Sequence, residues 1–396
     1  MKMKKIIAIA LSCTLTAGLL AGCGGDKGND NKGSADGAVT IKIGGIGPLT
    51  GDLAQYGTAT DWGAQVAVDE INALNGPIKL EFQFEDDTGV VDTAVSAYNS
   101  LKDWAKGAPL VIYGCTTTDP CVAVSAETYA DRYFQLTPSA SSPDVTAGKN
   151  NVFQMCFTDP GQGVAAAEYV KSAGIATKVG VIYNNGSAYS TGMAEAFMSK
   201  AKELGLEVVA TQTYPSDDTT DYNVQVNACK DAGAELVFLP IYYTPASLIM
   251  TQAKQSGYNP IFFGGDGMDG MLAVEGFDAS SVEGLLLMTP YNVGDNSTRN
   301  TTFVDSYKKL SGGTLPNQFA ADGYDCMYAI YEACCKIEGI ADMDSAALCD
   351  ALSAIFTGGE FKVDGLTGSG MSWLTTGEVS KSPMVVKVQN GAYVDP

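Results

Sequence analysis

Three short stretches concentrate the side chains able to hold a small polar molecule. Gly114-Cys115-Thr116-Thr117-Thr118-Asp119-Pro120 and Thr137-Pro138-Ser139-Ala140-Ser141-Ser142-Pro143 are dense in hydroxyls, and Gly264-Gly265-Asp266-Gly267 sets one acid among glycines. Hydroxyls and unpaired backbone amides suit a carboxylate, and an opposing aspartate suits an ammonium, so together the three suit a zwitterion. Gly265 and Gly267 would let the backbone approach such a ligand closely. Ser and Thr also start helices: Asp119 is the expected N-cap and Pro120 the first helical residue of the segment that follows.

Other chemistries are thin. The 396-residue chain has no histidine, which removes Ser-His-Asp and Cys-His nucleophiles, His-ligated zinc and imidazole acid–base catalysis. There is no Walker A or GxGxxG signature, EF-hand loop, Cys-x-x-Cys or acid pair at catalytic spacing. Gly44-Gly45-Ile46-Gly47-Pro48-Leu49 is glycine-rich, but Pro48 lacks the N–H a phosphate loop needs, so it reads as a chain reversal. Asp86-Asp87 and Asp217-Asp218 read as solvated strand ends or N-caps. The expectation is a binding protein, not an enzyme, with no cofactor or metal.

The chemistry-bearing stretches fall where strands end and helices begin. Short β-branched runs at 40–45, 79–84, 110–113, 133–136, 178–183, 207–212, 236–239 and 261–263 predict strands. Helical periodicity at 54–73, 93–106, 120–129, 161–172, 192–204, 222–231 and 246–256 fills the gaps. The alternation predicts an α/β protein with mostly parallel sheets, whose ligands sit beyond the carboxyl ends of the strands. A break at 139–158, containing the extended piece 152–156, favours two sheets over one barrel. A mainly helical tail at 299–354 precedes strand candidates at 360–363 and 384–388.

With 24 Lys+Arg against 45 Asp+Glu, the formal net charge is −21. Nucleic acid and anionic headgroups are poor partners for such a surface. Arg132 and Arg299 are the only arginines. At the N-terminus, Lys2, Lys4 and Lys5 precede an apolar run from Ile6 to Leu20 and then Leu20-Ala21-Gly22-Cys23. The run falls short of the ~20 residues that span a bilayer, so it reads as a signal peptide over 1–22. The last four residues resemble a bacterial lipobox, which implies cleavage before a diacylated Cys23. Residues 23–37 then form a Gly/Asn/Asp-rich tether. This predicts an extracytoplasmic protein anchored by lipid to a bacterial membrane.

Several motifs recur in order: Ile46-Gly47-Pro48-Leu49-Thr50-Gly51 with Gln55-Tyr56-Gly57, Gly114-Cys115-Thr116-Thr117-Thr118, and Leu136-Thr137-Pro138-Ser139-Ala140-Ser141. Phe157-Thr158-Asp159-Pro160 with Gln162-Gly163, then 184–189 and 262–267, complete the series. From about Ile41 to Val394 the chain resembles the leucine/isoleucine/valine-binding family of ABC-transporter solute receptors, the type I periplasmic binding proteins. The resemblance implies a two-lobed clamp with three crossovers: lobe 1 at 38–158 and 290–366, lobe 2 at 159–289 and 367–396. It also implies a monomer that passes an amino acid, branched-chain or otherwise small, to ABC permease subunits.

By the same analogy, one of Thr116, Thr117 and Thr118 offers a hydroxyl, as does Ser141, while Ser139 with nearby amides such as that of Ala140 holds the α-carboxylate. Asp266 stands where the family acid accepts the ammonium, Tyr189 and Tyr56 face the cleft, and Tyr242 and Tyr324 line the side-chain pocket. Relatives that pair the first-junction cysteine with one near Thr88 find no partner here. Cys115 could pair with Cys121 or stay free, and one or two bridges at most are expected among the eight remaining cysteines, with Cys156 and Cys229 in buried elements. The alternatives are a sensory ligand-binding lobe and a binder of an amide-type solute. The exact ligand stays open.

Overall fold

The computed structural model describes residues 37–215, 219–274 and 276–396. The signal segment, Cys23, most of the tether and Asp217-Asp218 lie outside the described residues. Five strands form the first sheet: β1 (Val39–Gly47), β2 (Ile78–Asp86), β3 (Leu110–Gly114), β4 (Gln135–Thr137) and β5 (Val152–Gln154), in the order β2-β1-β3-β4-β5 and all parallel. Helices α1 (Ala54–Ala73), α2 (Val91–Ala105) and α3 (Thr118–Asp131) connect them.

The chain then enters a second sheet. It runs through α4 (Asp159–Ala173), β6 (Lys178–Asn184), α5 (Ala188–Glu203), β7 (Glu207–Tyr214), α6 (Asn223–Asp231), β8 (Leu236–Leu239), α7 (Tyr243–Gln255), β9 (Ile261–Gly264) and β10 (Leu286–Thr289). Helices α8 (Thr298–Ser311), α9 (Gln318–Cys334) and α10 (Ser345–Thr357) follow, and α8 and α9 return to pack on α1. Strands β11 (Met384–Gln389) and β12 (Ala392–Val394) then complete the second sheet, in the order β12-β11-β10-β9-β8-β6-β7. In this sheet, among the described residues, the β10–β11 and β11–β12 pairs are antiparallel and the others parallel.

The two-sheet, mostly parallel α/β expectation holds. Strand β10, Leu286-Leu287-Met288-Thr289, is buried throughout and was not foreseen, because its run carries one β-branched residue and no aromatic, unlike the Val- and Phe-bearing runs of β8 and β9. Residues 360–363 make only an isolated bridge, Val363 to Met371. Gly44 and Gly45 lie inside β1, where an added Cβ would meet Leu101 Cδ1 at 2.9 Å and Phe84 Cδ2 at 2.3 Å; the reversal starts only after Gly47. Asp86 does cap its strand end, but Asp87 is fully buried, and burial pushes its carboxyl up to about 6. Helix α3 begins two residues early, at Thr118 with Thr117 as its N-cap, and Asp119 lies in its first turn.

The closest helix contact is α1 on α9. A Cβ on Gly63 would stand 1.9 Å from Ala320 O, and one on Gly323 would stand 2.7 Å from Thr60 O. Two glycines on facing helices thus bring the backbones together. The described cysteines are free thiols, and Cys121 Sγ donates to Gly114 O at 3.6 Å in place of a bridge to Cys115. Cys156 and Cys229 are buried as expected.

Candidate functional site

The carboxyl ends of β3, β4 and β9 converge on one cavity of about 250 Å³ of empty space. It is lined by Thr116, Thr117 and Thr118 after β3, Ser139 and Ser141 after β4, Asp266 and Gly267 after β9, and the rings of Tyr56, Tyr189, Tyr242 and Phe319. No lysine or arginine lines it. Among the described residues, no cluster of three potential metal ligands occurs, and no helix is long and apolar enough to cross a membrane.

The hydroxyls divide into two sets. Thr116 Oγ1 lies 3.0 Å from Thr60 Oγ1, and Ser139 Oγ donates to Thr116 O at 2.6 Å, so these two brace the loops. Thr117 Oγ1 and Ser141 Oγ are buried without a hydrogen-bond partner. Buried polar atoms are nearly always paired, so an unpaired pair on one cavity wall marks atoms reserved for something else. Thr137 Oγ1 accepts the amides of Ser139 and Ala140 at 3.3 and 3.0 Å. The amides that the sequence assigned to a carboxylate are therefore engaged by the loop itself, and Ala140 is buried away from the cavity wall. Helix α3 begins at cavity-lining Thr118.

Across the cavity, Asp266 is 4 % exposed. Its Oδ1 accepts the Tyr189 hydroxyl at 2.8 Å and the Gly267 amide at 2.8 Å, while its own amide donates to Gln162 Oε1 at 2.9 Å. Burial pushes its carboxyl up to about 6, partly offset by these hydrogen bonds. The flanking glycines have a different reason from the one the sequence offered. A Cβ on Gly265 would meet Met193 Sδ at 2.6 Å, and one on Gly267 would meet the Tyr189 hydroxyl at 2.6 Å. They make room for protein neighbours that hold Asp266.

Tyr189 and Tyr242 stack at 5.0 Å and 4°, and Tyr56 packs against Tyr242 at 5.4 Å and Phe319 at 4.8 Å. The Tyr56 hydroxyl donates to Gly267 O and accepts the Tyr243 amide at 3.2 Å; Tyr243 in turn donates its hydroxyl to Asp52 O at 2.5 Å. Each of these bonds joins the loop end of one sheet to that of the other. Tyr324 is not part of the wall: its hydroxyl donates to Glu70 Oε2 at 2.7 Å and its ring packs 4.9 Å from Phe303. Phe319 takes the lining place instead. Sequence reasoning missed it because an apolar residue in the first turn of a helix reads as core.

A periplasmic-binding-protein family matches residues 40–392. The chain is 32% identical over 319 residues to Leu/Ile/Val-binding protein homolog 3 of Brucella melitensis, covering 79% of this chain and 83% of that one. It is 26% identical over 323 residues to the leucine-, isoleucine-, valine-, threonine- and alanine-binding protein of Pseudomonas aeruginosa, covering 80% and 83%. The crystal structure of the Streptococcus pneumoniae branched-chain amino acid transporter substrate-binding protein LivJ, in complex with isoleucine, superposes with a TM-score of 0.79 at 28% identity, covering 90% of this chain and all of that one. A match across nearly the whole described chain, on a site of hydroxyls facing a buried acid, means that this chain belongs to the periplasmic binding protein family.

Proposed function

We propose that this protein is the extracytoplasmic solute receptor of an ABC importer and that it binds a small apolar amino acid, of the branched-chain class, in the cavity described above. The observation that carries the reading is Asp266, a buried carboxylate with no lining cation, facing the unpartnered hydroxyls of Thr117 and Ser141 across one small cavity. A buried charge needs a counter-charge or several hydrogen bonds, and a ligand ammonium is the group of the right sign. The ligand carboxylate then faces Thr117, Ser141 and the positive end of α3. Its side chain meets the rings of Tyr56, Tyr242 and Phe319, which favour an aliphatic group and offer no counter-charge to an acidic one. The names of the relatives point the same way.

Residues 38–158 with 290–366 form one lobe in this reading, and 159–289 with 367–396 the other, in keeping with the membership of the two sheets. Ligand bound at the lobe boundary favours the closed arrangement by its differential affinity. Diacylated Cys23 anchors the monomer to the membrane, where it meets the permease. Thermal-shift screening of the 20 amino acids tests the binding reading. A cognate ligand at 100 times its Kd stabilises the fold by about 2.7 kcal/mol. The expected hits are leucine, isoleucine and valine; a panel with no shift would contradict the reading.

A further inference from the structure

The backbone of Asp266 is held on both sides by glutamines. Its amide donates to Gln162 Oε1 at 2.9 Å, and its carbonyl accepts from Gln318 Nε2 at 3.3 Å. Both side chains are buried. Gln162 belongs to α4, which packs on α5 beside the second sheet. Gln318 is the first residue of α9, which packs on α1 beside the first sheet through Gly63 and Gly323. The second bond therefore crosses from a helix of one sheet to a loop of the other.

The crossing is reciprocal. Gln318 Nε2 also donates to Met288 O in β10 at 3.3 Å, and the Gln318 amide donates to Asp269 Oδ2 at 3.0 Å. Asp269 is buried, and its Oδ1 accepts the Gly270 amide at 2.8 Å. A carboxylate is favoured there, because it takes an N–H that the first turn of α9 leaves without an internal partner, at the positive end of a 17-residue helix. Gly270, at φ +95°, lets the loop turn beside the α9 N-cap, where a Cβ would stand 3.1 Å from Asn317 Nδ2. Loop and helix thus each supply a donor or acceptor that the other lacks. Neither Gln318 nor Asp269 lines the cavity, although Phe319, next along α9, does.

We propose that Gln318 is a positioning residue for the ammonium acceptor: it ties the Asp266 loop to α9, so that Asp266 takes its binding geometry only with the two sheets drawn together. This rests on the amino-acid reading above. With the sheets apart, the Asp266 carbonyl keeps only the turn bond from the Asp269 amide, at 2.8 Å, and Asp269 loses the α9 amide. Gln162 then holds the loop from one side alone. Closure and affinity are coupled through this joint, because the ligand favours the arrangement in which the acid is aimed.

Titration calorimetry with L-leucine on wild type, Gln318→Met, Asp266→Asn and the double variant tests the proposal. Methionine keeps the length of the side chain and removes both donors. The expected loss for Gln318→Met is about tenfold beside Asp266, and less than about twofold in the Asp266→Asn background, where there is no carboxylate to aim. An equal loss in both backgrounds overturns the proposal, since Gln318 would then serve the fold or the cavity at large; so does an unchanged affinity. Either result leaves the amino-acid reading intact. Leucine binding to Asp266→Asn within threefold of the wild type brings down the ammonium assignment, and the proposal with it. Hydrogen exchange of the wild type gives a second readout that needs no variant: the amides of 266–270 and 317–320 should gain protection together when leucine binds. A 266–270 segment protected equally with and without leucine overturns the link to closure.

Discussion

Ser141 illustrates how a residue can cost the fold something and return it on binding. Its hydroxyl is buried and unpaired, and a buried donor without a partner is penalised by about 1–3 kcal/mol. Ser141→Ala should therefore leave the free protein as stable as the wild type or more so, while weakening amino-acid binding by about 1 kcal/mol, roughly fivefold. Thermal melts and calorimetry read the two effects separately; loss of stability with unchanged affinity would mean the hydroxyl serves the fold. At this scale the sequence was legible where polar residues follow strands, as Thr117, Ser141 and Asp266 do. It was not legible where side-chain direction decides. Tyr324 follows Phe319 by five residues, about 140° round α9, so it points to Glu70 and Phe303 while Phe319 meets the cavity.

The elements that aim these residues depend on two kinds of close contact. Gly63 on α1 touches the α9 backbone, and a methyl there would stand 1.9 Å from Ala320 O. Alanine gains about 1 kcal/mol of helix propensity over glycine, but a clash with backbone cannot relax cheaply and overpacking costs about 1–3 kcal/mol. Gly63→Ala is thus expected to lower the urea midpoint; an unchanged or raised midpoint would show that the helices can part without cost. The second contact is Tyr243, whose hydroxyl and amide join the loops of the two sheets through Asp52 and Tyr56. Tyr243→Phe removes only the hydroxyl bond. It should weaken every amino acid by the same factor, about threefold to tenfold for one hydrogen bond, because it biases closure and touches no ligand. Unequal losses across the panel would make Tyr243 a selectivity residue. Runs rich in β-branched and aromatic residues, down to the four residues of β8, were visible in the sequence; β10, a Leu-Leu-Met-Thr run, and the three-residue β12 were not.

For the whole molecule, acidity and burial act together. The net charge is −21, and burial raises the carboxyls of Asp61, Asp87 and Asp266 to about 6 each. A raised folded-state value means that the native protein binds these protons more tightly than the unfolded chain. Their contribution to stability is fully present below about pH 4 and is lost as pH rises through 6. The exposed acids with lowered values, such as Asp364 and Asp221, oppose this only weakly because solvent screens them. The unliganded protein should therefore melt at a higher temperature at pH 5.5 than at pH 8, by scanning calorimetry; a higher midpoint at pH 8 would show that the lowered acids dominate.

The account as a whole rests on a ligand ammonium held by Asp266. Calorimetric titration of wild type and Asp266→Asn with L-leucine, L-isoleucine and L-valine at pH 7.5 tests it most directly. Removing one partner of a buried charge pair costs about 3–5 kcal/mol, and the substitution is nearly isosteric. The predicted result is at least about a hundredfold weaker binding with the thermal midpoint of the free protein retained. Binding within threefold of the wild type would contradict the ammonium assignment and turn the cavity over to a neutral or anionic solute.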